Sequence, residues 1–382
     1  MKKITRLPAH GGEYEINEYG KDSIKLDFSV NLNPLGIPES IVTLLKDNTA
    51  LSEMISHYPT LDHDVIRSHL AEKRNIPKDW ILMGNGASEI ISIIAESIGS
   101  SNLAATDVPY TKALIVEPTF SGYERALSAR GIKVLHYELP NTFELTDDII
   151  DYIRENPVDM LFACSPNNPT GQTIAPLLLK KLSDTCKELN TLLIIDECFM
   201  GFVKNNHEYS AINSLRDNDH IILIDAFTKL YSMPGIRLGY CICSDTSLIK
   251  KLQDLTPEWN ISTFSEAMGV AVLSEDAYIR QAQELIEKEK SFLTKELTNL
   301  GFTVYPSCAP FILLKIPAGT DSTTIYHSMI KDHGILLRNC SNFHGLDDSY
   351  YRIAIRDHED NLKLIRTLQL VLSSFSGRNK EQ

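Results

Sequence analysis

The chain has 382 residues, of which 43% are hydrophobic and 23% are charged, a composition that can bury a large core and argues against disorder. The 50 acidic residues outnumber the 37 basic ones, which gives a formal net charge of −13. Nonspecific attraction to nucleic acid or to an anionic membrane is therefore disfavoured, and an anionic substrate would need a local basic pocket.

The sequence indicates neither a membrane span nor a secretory leader. No segment approaches the ~20 apolar residues of a transmembrane helix, and residues 1–6 lack the apolar core of a signal peptide. The seven cysteines are an odd number and lie mostly in apolar runs, as reduced core thiols do. Cys241 and Cys243 are closely spaced, but no second Cys or His pair accompanies them at ligand spacing. We therefore expect a cytoplasmic protein without a metal site and without nucleic acid or membrane partners.

Short apolar runs alternate with amphipathic stretches through the middle of the chain. This alternation is typical of strands and crossover helices in a mostly parallel sheet. The runs are nearly all apolar, as strands covered by helices on both faces should be. The predicted strands are residues 113–117, 133–137, 160–164, 192–196, 221–225 and 239–242, and two predicted helices are residues 123–130 and 177–189.

The pattern changes after about residue 250, where longer charged stretches begin. A helix is predicted over 277–297, and the last helix, over 358–372, has apolar residues at helical spacing. Short apolar runs between them are residues 302–305, 311–316, 335–338 and 351–356. We therefore predict an N-terminal arm with part of the small domain over residues 1–45, a large domain over 46–250 and a smaller C-terminal α/β domain over 251–382.

A lysine follows the predicted strand at 221–225. Lys229 ends the segment Asp-Ala-Phe-Thr-Lys, and Arg237 comes eight residues later within Gly-Ile-Arg-Leu-Gly. A lysine after a buried strand is usually a solvated loop residue. An amine at this place can also form an imine with an aldehyde cofactor, and burial beside a cation would lower its pKa. Arg237 can give a phosphate two charge-assisted hydrogen bonds.

Three further segments place polar groups at turns. The segment Gly-Asn-Gly-Ala-Ser-Glu at 84–89 opens a helix predicted over 90–98, and N–H groups at such a helix start bind phosphate, although an ordinary tight turn has the same composition. Asp196 ends a predicted strand, where ligands of open α/β sheets bind, and a carboxylate there can keep a pyridine nitrogen protonated. Asn168 begins Asn-Pro-Thr-Gly, a turn that presents an amide to the same edge.

In order and spacing, these motifs resemble the fold-type I aminotransferase superfamily along almost the whole chain. The resemblance implies an α/β fold whose large domain holds a mostly parallel sheet of the seven-stranded type, and pyridoxal 5'-phosphate as cofactor. It implies Lys229 as the Schiff-base lysine, Asp196 at the pyridine nitrogen and Asn168 at the ring hydroxyl. The residues implied around the cofactor phosphate are Gly86, Ala87, Ser88, Thr228 and Arg237.

The resemblance also covers two aromatic residues and includes two departures. Phe120 is implied as the ring that stacks on the cofactor, with a core aromatic as the alternative. The counterpart of Tyr58 reaches the partner's cofactor phosphate, which implies a homodimer with shared active sites. The superfamily usually has Ser or Thr where this chain has Ala226, so Thr228 must serve as the hydrogen-bond donor to the cofactor phosphate. It commonly has Tyr where this chain has Phe199, and the missing hydroxyl argues against an ordinary aminotransferase.

Other segments are similar to the threonine-phosphate decarboxylases of cobamide biosynthesis, which are close to the histidinol-phosphate aminotransferases. These segments are residues 10–12, 26–36, 57–59, 334–346 and 351–353. The similarity implies decarboxylation of L-threonine O-3-phosphate or L-serine O-phosphate to an aminoalcohol phosphate, and the choice between the two substrates stays open. Histidinol-phosphate aminotransferase or a related aminotransferase is the alternative.

Two arginines suit a substrate with two anionic groups. Arg338 and Arg352 lie on adjacent predicted strands of the smaller domain, and each can clamp one anion. The resemblance implies that Arg352 binds the substrate carboxylate, and Arg338 with His10 then suits the phosphate. Surface ion pairs are the alternative for both arginines, and a solvated position is the alternative for His10. Asn33, within the similar stretch 26–36, is a further candidate for substrate binding.

Overall fold

The computed structural model describes residue 20 and residues 23–99 and 112–378. His10 lies outside these residues, and within them no helix combines the length and hydropathy of a membrane span. The strands are β1 (Leu26–Asp27), β2 (Ile81–Gly84), β3 (Lys112–Glu117), β4 (Lys133–Glu138), β5 (Met160–Cys164), β6 (Leu192–Asp196), β7 (Ile221–Ala226), β8 (Gly239–Ile242), β9 (Thr303–Val304), β10 (Phe311–Lys315), β11 (Ile335–Leu336), β12 (Arg338–Asn339) and β13 (Tyr350–Ala354).

Helices pack on both faces of a central sheet, and the last helices of the chain pack in the smaller part of the molecule. The helices are α1 (Glu39–Lys46), α2 (Asn48–Ser56), α3 (Asp64–Arg74), α4 (Ala87–Gly99), α5 (Gly122–Ser128), α6 (Asp148–Glu155), α7 (Pro176–Glu188), α8 (Asn206–Tyr209), α9 (Phe227–Leu230), α10 (Thr246–Asp254), α11 (Thr263–Val272), α12 (Asp276–Asn299), α13 (Ser322–Lys331) and α14 (His358–Arg378).

Helix starts follow from local sequence. Asp245 caps α10, because its carboxylate accepts the backbone N–H groups of Ser247 and Leu248 at 2.9 and 3.1 Å. Pro176 occupies the first position of α7, where its missing N–H leaves no intrahelical bond unmade. The sequence pattern therefore locates α7 to within one residue at each end.

A seven-stranded sheet in the order β2-β8-β7-β6-β5-β3-β4 forms the centre of the larger part of the molecule. Neighbouring strands run parallel except at β8, which is antiparallel to both β2 and β7. The predicted α/β fold with a mostly parallel sheet is confirmed. Each of the six predicted strands forms within one residue of its predicted ends. Five of these strands were predictable because both of their faces are buried, which makes them continuous apolar runs, whereas the edge strand β4 is only half-buried.

A smaller part of the molecule is built on a second sheet, in the order β12-β13-β10-β9. All of its neighbouring strands are antiparallel. Strand β1 pairs in parallel with β11, so the start of the described chain joins this C-terminal part. Phe28, which follows β1, is buried in the same apolar cluster as Phe311 and Leu364.

The apolar core of the larger part extends beyond residue 250, where the sequence pattern changes. Ile261, Met268 and Tyr278 are buried in the same cluster as the strands of the seven-stranded sheet. The long helix α12 then begins at Asp276 and reaches the core of the smaller part, where Leu293 is fully buried. Both cores therefore meet along one continuous helix.

Candidate active site

A cavity of about 390 Å³ lies at the edge of the seven-stranded sheet where β5, β6 and β7 end. Carboxyl ends of parallel strands are where open α/β sheets bind ligands. Most of the predicted site residues line this cavity, namely Ala87, Ser88, Phe120, Asn168, Asp196, Thr228, Lys229, Arg237, Arg338 and Arg352. The fold thus brings these predicted residues together from distant parts of the chain. Ala87 and Arg352, for example, are 265 positions apart.

Lys229 lies on the short helix α9, which begins directly after β7. Burial lowers the pKa of Lys229 to about 8, and the positive charges of Arg352 and Arg237 also lower it. A larger share of the amine is therefore neutral near pH 7 than for a solvated lysine, and the neutral amine is the nucleophile.

Asp196 ends β6 with its carboxylate at the cavity and is only 6% exposed. Its Oδ2 accepts the hydroxyl of Tyr123 at 2.7 Å, and its Oδ1 accepts the backbone N–H of Cys198 at 3.0 Å. Burial and the neighbouring Asp196 raise the pKa of Tyr123 well above its ordinary value, so its hydroxyl stays protonated and donates. The sequence reasoning missed Tyr123, whose only local signal is its place three residues after Phe120.

The turn before α4 approaches Arg237 closely. Gly86 has φ +77°, and a Cβ added there would lie 2.6 Å from Nη2 of Arg237. Glycine therefore suits the backbone conformation, and a side chain at this position would displace the guanidinium. Because α4 begins at Ala87, the first N–H groups of the helix, including that of Ser88, have no preceding helical carbonyl to bind. Helix start and arginine together make a site for a phosphate.

Arg352 is held from three sides and is 6% exposed. Its Nη2 donates to the carbonyl of Ser29 at 2.6 Å, and its Nη1 donates to Oδ1 of Asn168. With the amide oxygen of Asn31 turned toward it, Nε and Nη1 also donate there at 3.1 and 3.2 Å. Burial lowers the pKa of Arg352 to about 10, which leaves it charged at pH 7. Ser29 and Asn31, which the sequence reasoning did not single out, thus fix the orientation of this guanidinium.

Arg338 lies beside Arg352 on the neighbouring strand. The two residues are direct partners in the antiparallel register of β12 and β13, which places their side chains on the same face. Arg338 donates to the carbonyl of Asn339 at 2.9 Å and to Oδ1 of Asn342 at 2.7 Å. Over the described ranges of the chain, neither arginine forms a salt bridge with a carboxylate. Two adjacent positive charges therefore face the cavity.

Three of the predicted site residues that the structure describes do not line the cavity. The side-chain amide of Asn33 donates to the carbonyl of Leu230 at 2.8 Å, so Asn33 supports the helix that carries Lys229. Gly86 lies behind Arg237. Tyr58 is 81% exposed, and His10 lies outside the described residues.

Phe199 lies where the superfamily commonly has a tyrosine. It lines the cavity, is 5% exposed and packs edge-on against Phe311 with ring centroids 5.0 Å apart. An aromatic ring without a hydroxyl therefore offers a ligand of the cavity packing but no hydrogen bond at this place.

A model of the family described as aminotransferase class I and II matches residues 23–368. The chain belongs to this family. Threonine-phosphate decarboxylase from Salmonella typhimurium is 34% identical over 92% of each chain. The adenosylcobalamin biosynthesis bifunctional protein CobDQ of Leptospira interrogans is 32% identical over 98% of this chain and 42% of that protein. The crystal structure of histidinol-phosphate aminotransferase from Clostridium acetobutylicum has a TM-score of 0.82 and 30% identity, covering 91% of this chain and 99% of that chain.

This member of the aminotransferase class I and II family is a pyridoxal-phosphate enzyme, and its side chains fit that cofactor. The Lys229 amine suits the aldehyde, and the buried carboxylate of Asp196 suits the pyridine nitrogen. The helix start at Ala87, with Arg237, suits the phosphate. Phe120 lies at the cavity wall, where its ring can stack on the cofactor.

The rate at which the cofactor-free protein recombines with pyridoxal phosphate is expected to rise with pH and to level off above about 8. Only the neutral amine of Lys229 attacks the aldehyde, and its fraction grows roughly 10-fold per pH unit below the pKa. Stopped-flow recording of the visible absorbance across this pH range measures the rate. A rate that keeps rising toward about pH 10, as for a solvated lysine, would contradict the lowered pKa.

Proposed function

We propose that this protein decarboxylates an O-phospho amino acid, L-threonine O-3-phosphate or L-serine O-phosphate, and releases an aminoalcohol phosphate for the nucleotide loop of cobamides. The observation that carries the proposal is the pair Arg338 and Arg352, side by side in the cavity of Lys229. Two anionic groups on one substrate need two such clamps. Similarity to the Salmonella decarboxylase supports the reaction, and similarity to the Leptospira bifunctional protein supports the cobamide product.

When bound, pyridoxal phosphate supplies an aldehyde for the substrate amine and a ring that takes up the electron pair released at the substrate Cα. Asp196 would hold the proton on the ring nitrogen, and its hydrogen bonds from Tyr123 and Cys198 keep its carboxylate in place. Arg352 orients the substrate carboxylate, whose bond to Cα breaks as CO2 leaves. Lys229 then delivers a proton from Nζ to Cα, so that hydrogen replaces the carboxylate.

The difference between Arg338 and Arg352 supports separate roles. Arg352 is buried and already bound by three neighbours, so it can hold a small planar carboxylate in one orientation. Arg338 is less buried and binds only neighbours within its own loop, which leaves room for a tetrahedral phosphate. Arg352 would thereby help to select the bond that breaks, because the orientation of the carboxylate sets the direction of its bond to Cα.

A product assay tests the reaction. Both phospho amino acids are incubated with the holoenzyme, with and without 2-oxoglutarate as amino acceptor. We expect CO2 and the aminoalcohol phosphate without an acceptor. A strict requirement for 2-oxoglutarate, with histidinol phosphate as the better substrate, would instead assign the protein as an aminotransferase. The ratio of kcat/KM for the two phospho amino acids then identifies the substrate, since one methyl group changes it roughly 10- to 200-fold.

We also propose a homodimer in which Tyr58 reaches the partner's cofactor phosphate. Tyr58 packs at a tilt against Trp259, with ring centroids 5.1 Å apart, and both rings are exposed. Ile55, Leu61 and Val65 are exposed close to Tyr58 in the chain. We call these five exposed residues the apolar face, and exposed apolar side chains grouped in this way support a protein interface.

Sedimentation of the purified protein is expected to give a dimer, and Val65→Asp is expected to weaken it, because a charge would be buried in the apolar face. Tyr58→Phe should leave the dimer intact and release the cofactor faster, roughly 10-fold or more, since a hydrogen bond to a charged group is lost. Leu177→Asp, at an exposed apolar residue on α7, is the matched control and should change neither property. A fully active monomer would contradict both parts of the proposal.

A further inference from the structure

A chain of polar contacts leads from the turn before α4 to a buried histidine. We call residues 84–88 the phosphate turn. Oε2 of Glu89 accepts the backbone N–H of Asn85 at 2.7 Å and the side-chain amide of Asn260 at 2.7 Å. Oδ1 of Asn260 lies 3.1 Å from Nε2 of His63, which is 5% exposed. Glu89 therefore forms hydrogen bonds both with the phosphate turn and with Asn260, which contacts the buried His63.

The directions of these hydrogen bonds follow from the donors. A carboxylate only accepts, so Asn260 must donate its amide to Glu89 and present its oxygen to His63. Nε2 of His63 therefore carries hydrogen. Nδ1 of His63 lies 3.7 Å from Oε2 of Glu266, and neither this nitrogen nor Oε1 of Glu266 has a hydrogen-bond partner among the described residues. The chain of contacts thus ends in a buried histidine–carboxylate pair that points Nε2 at Asn260.

Glu89 shapes the phosphate turn in two ways. As the third residue of α4, it reaches back to the N–H of Asn85, an arrangement related to the capping box. This bond stabilises the turn and leaves the N–H groups of Ala87 and Ser88 for a phosphate. Its negative charge would repel a phosphate if the side chain swung into the turn, and the bond from Asn260 prevents that movement.

We propose that Glu89, Asn260 and His63 are positioning residues that hold the phosphate turn in the shape the cofactor phosphate needs and keep the Glu89 carboxylate out of it. None of the three lines the cavity, so they act through the turn and do not touch the cofactor. The inference rests on the proposed function only in placing the cofactor phosphate at this turn. It concerns cofactor retention and is independent of the substrate.

Retention of the cofactor by Asn260 variants tests the inference. Asn260→Leu removes both bonds and is expected to speed cofactor loss from the holoenzyme roughly 10- to 100-fold. Asn260→Asp should speed it further, because it sets a carboxylate against Glu89. Loss is followed as decay of the visible absorbance during dialysis against a carbonyl scavenger. Pyridoxal, which lacks the phosphate, should be retained equally by parent and variants.

Substitutions at His63 separate positioning from backbone effects. His63 has φ 49°, a left-handed conformation that asparagine tolerates well. His63→Asn therefore suits the backbone but is too short to reach Asn260, and we expect faster cofactor loss. His63→Gln keeps an N–H donor of longer reach and should restore much of the retention. Rescue by glutamine is a result that a purely structural role does not predict.

A matched control uses another buried asparagine. Asn218 donates to the carbonyl and hydroxyl of Ser183 at 2.9 and 2.8 Å, and it lines no part of the cavity. Asn218→Leu should lower the melting temperature of the cofactor-free protein without changing cofactor loss. Parental loss rates in both Asn260 variants, or an equal fall in pyridoxal retention, would overturn the inference. Arg237→Ala tests the cofactor placement separately, because a parental loss rate there would refute the phosphate site itself.

Discussion

Replacing Lys229 with alanine is expected to abolish turnover and the visible absorbance of the lysine-bound cofactor. Over the described residues, no other lysine lines the cavity, so no second amine can react with the aldehyde. Lys229→Arg should be equally inactive, because a guanidinium keeps the positive charge but is not a nucleophile at neutral pH. Absorbance spectra and product assays on the two purified variants measure both effects.

The control for the two Lys229 variants is Lys250→Ala. Lys250 is an exposed residue of α10 outside the cavity, so its loss should leave spectrum and turnover at parental values. A normal yellow band in Lys229→Ala would refute the assignment of the lysine. Activity in Lys229→Arg would show that only charge is required at this place.

Most strands of the large sheet were predictable because burial of a strand requires apolar residues. Strands covered on both faces are continuous apolar runs, and turns with Gly, Pro or Asn separate them. Strand β2 (Ile81–Gly84) was not among the predicted strands, although its residues form a short apolar run before a glycine turn. Its antiparallel pairing with β8 arises from contacts between segments about 160 residues apart, from 81 to 242, and local pattern carries no signal of that pairing.

The candidate site was predictable only where motifs mark it. Lys229, Asp196 and Arg237 each lie at the end of a strand or just after a strand or turn with a recognisable pattern. The groups that orient them have no such pattern. Ser29 accepts a hydrogen bond from a side chain 323 residues later in the chain, and Tyr123 supports Asp196 from a neighbouring element. Such partners are fixed by tertiary packing, which local sequence does not encode.

Truncation of Arg338 and truncation of Arg352 are expected to impair the reaction in different ways. Arg352→Ala removes the partner of the substrate carboxylate and releases Asn168, to which Arg352 donates, so both kcat and affinity should fall. Arg338→Ala should mainly weaken binding of the substrate phosphate. The loss of a charge-assisted pair costs on the order of 1.5 to 3 kcal/mol, or roughly 10- to 150-fold in KM. Initial rates with the preferred phospho amino acid measure kcat and KM for each variant.

A four-way comparison isolates the role of Arg338. It measures kcat/KM for parent and Arg338→Ala enzymes on the phosphorylated and on the plain amino acid, as a double-mutant-style cycle. Arg154→Ala, at an exposed arginine in a salt bridge with Glu188, serves as the control and should change neither value. Plain threonine should be a poor substrate for the parent, and Arg338→Ala should hardly weaken it further, because the partner of this arginine is already missing. If the loss of Arg338 harms both substrates equally, the arginine supports the fold of its loop and the phosphate binds elsewhere.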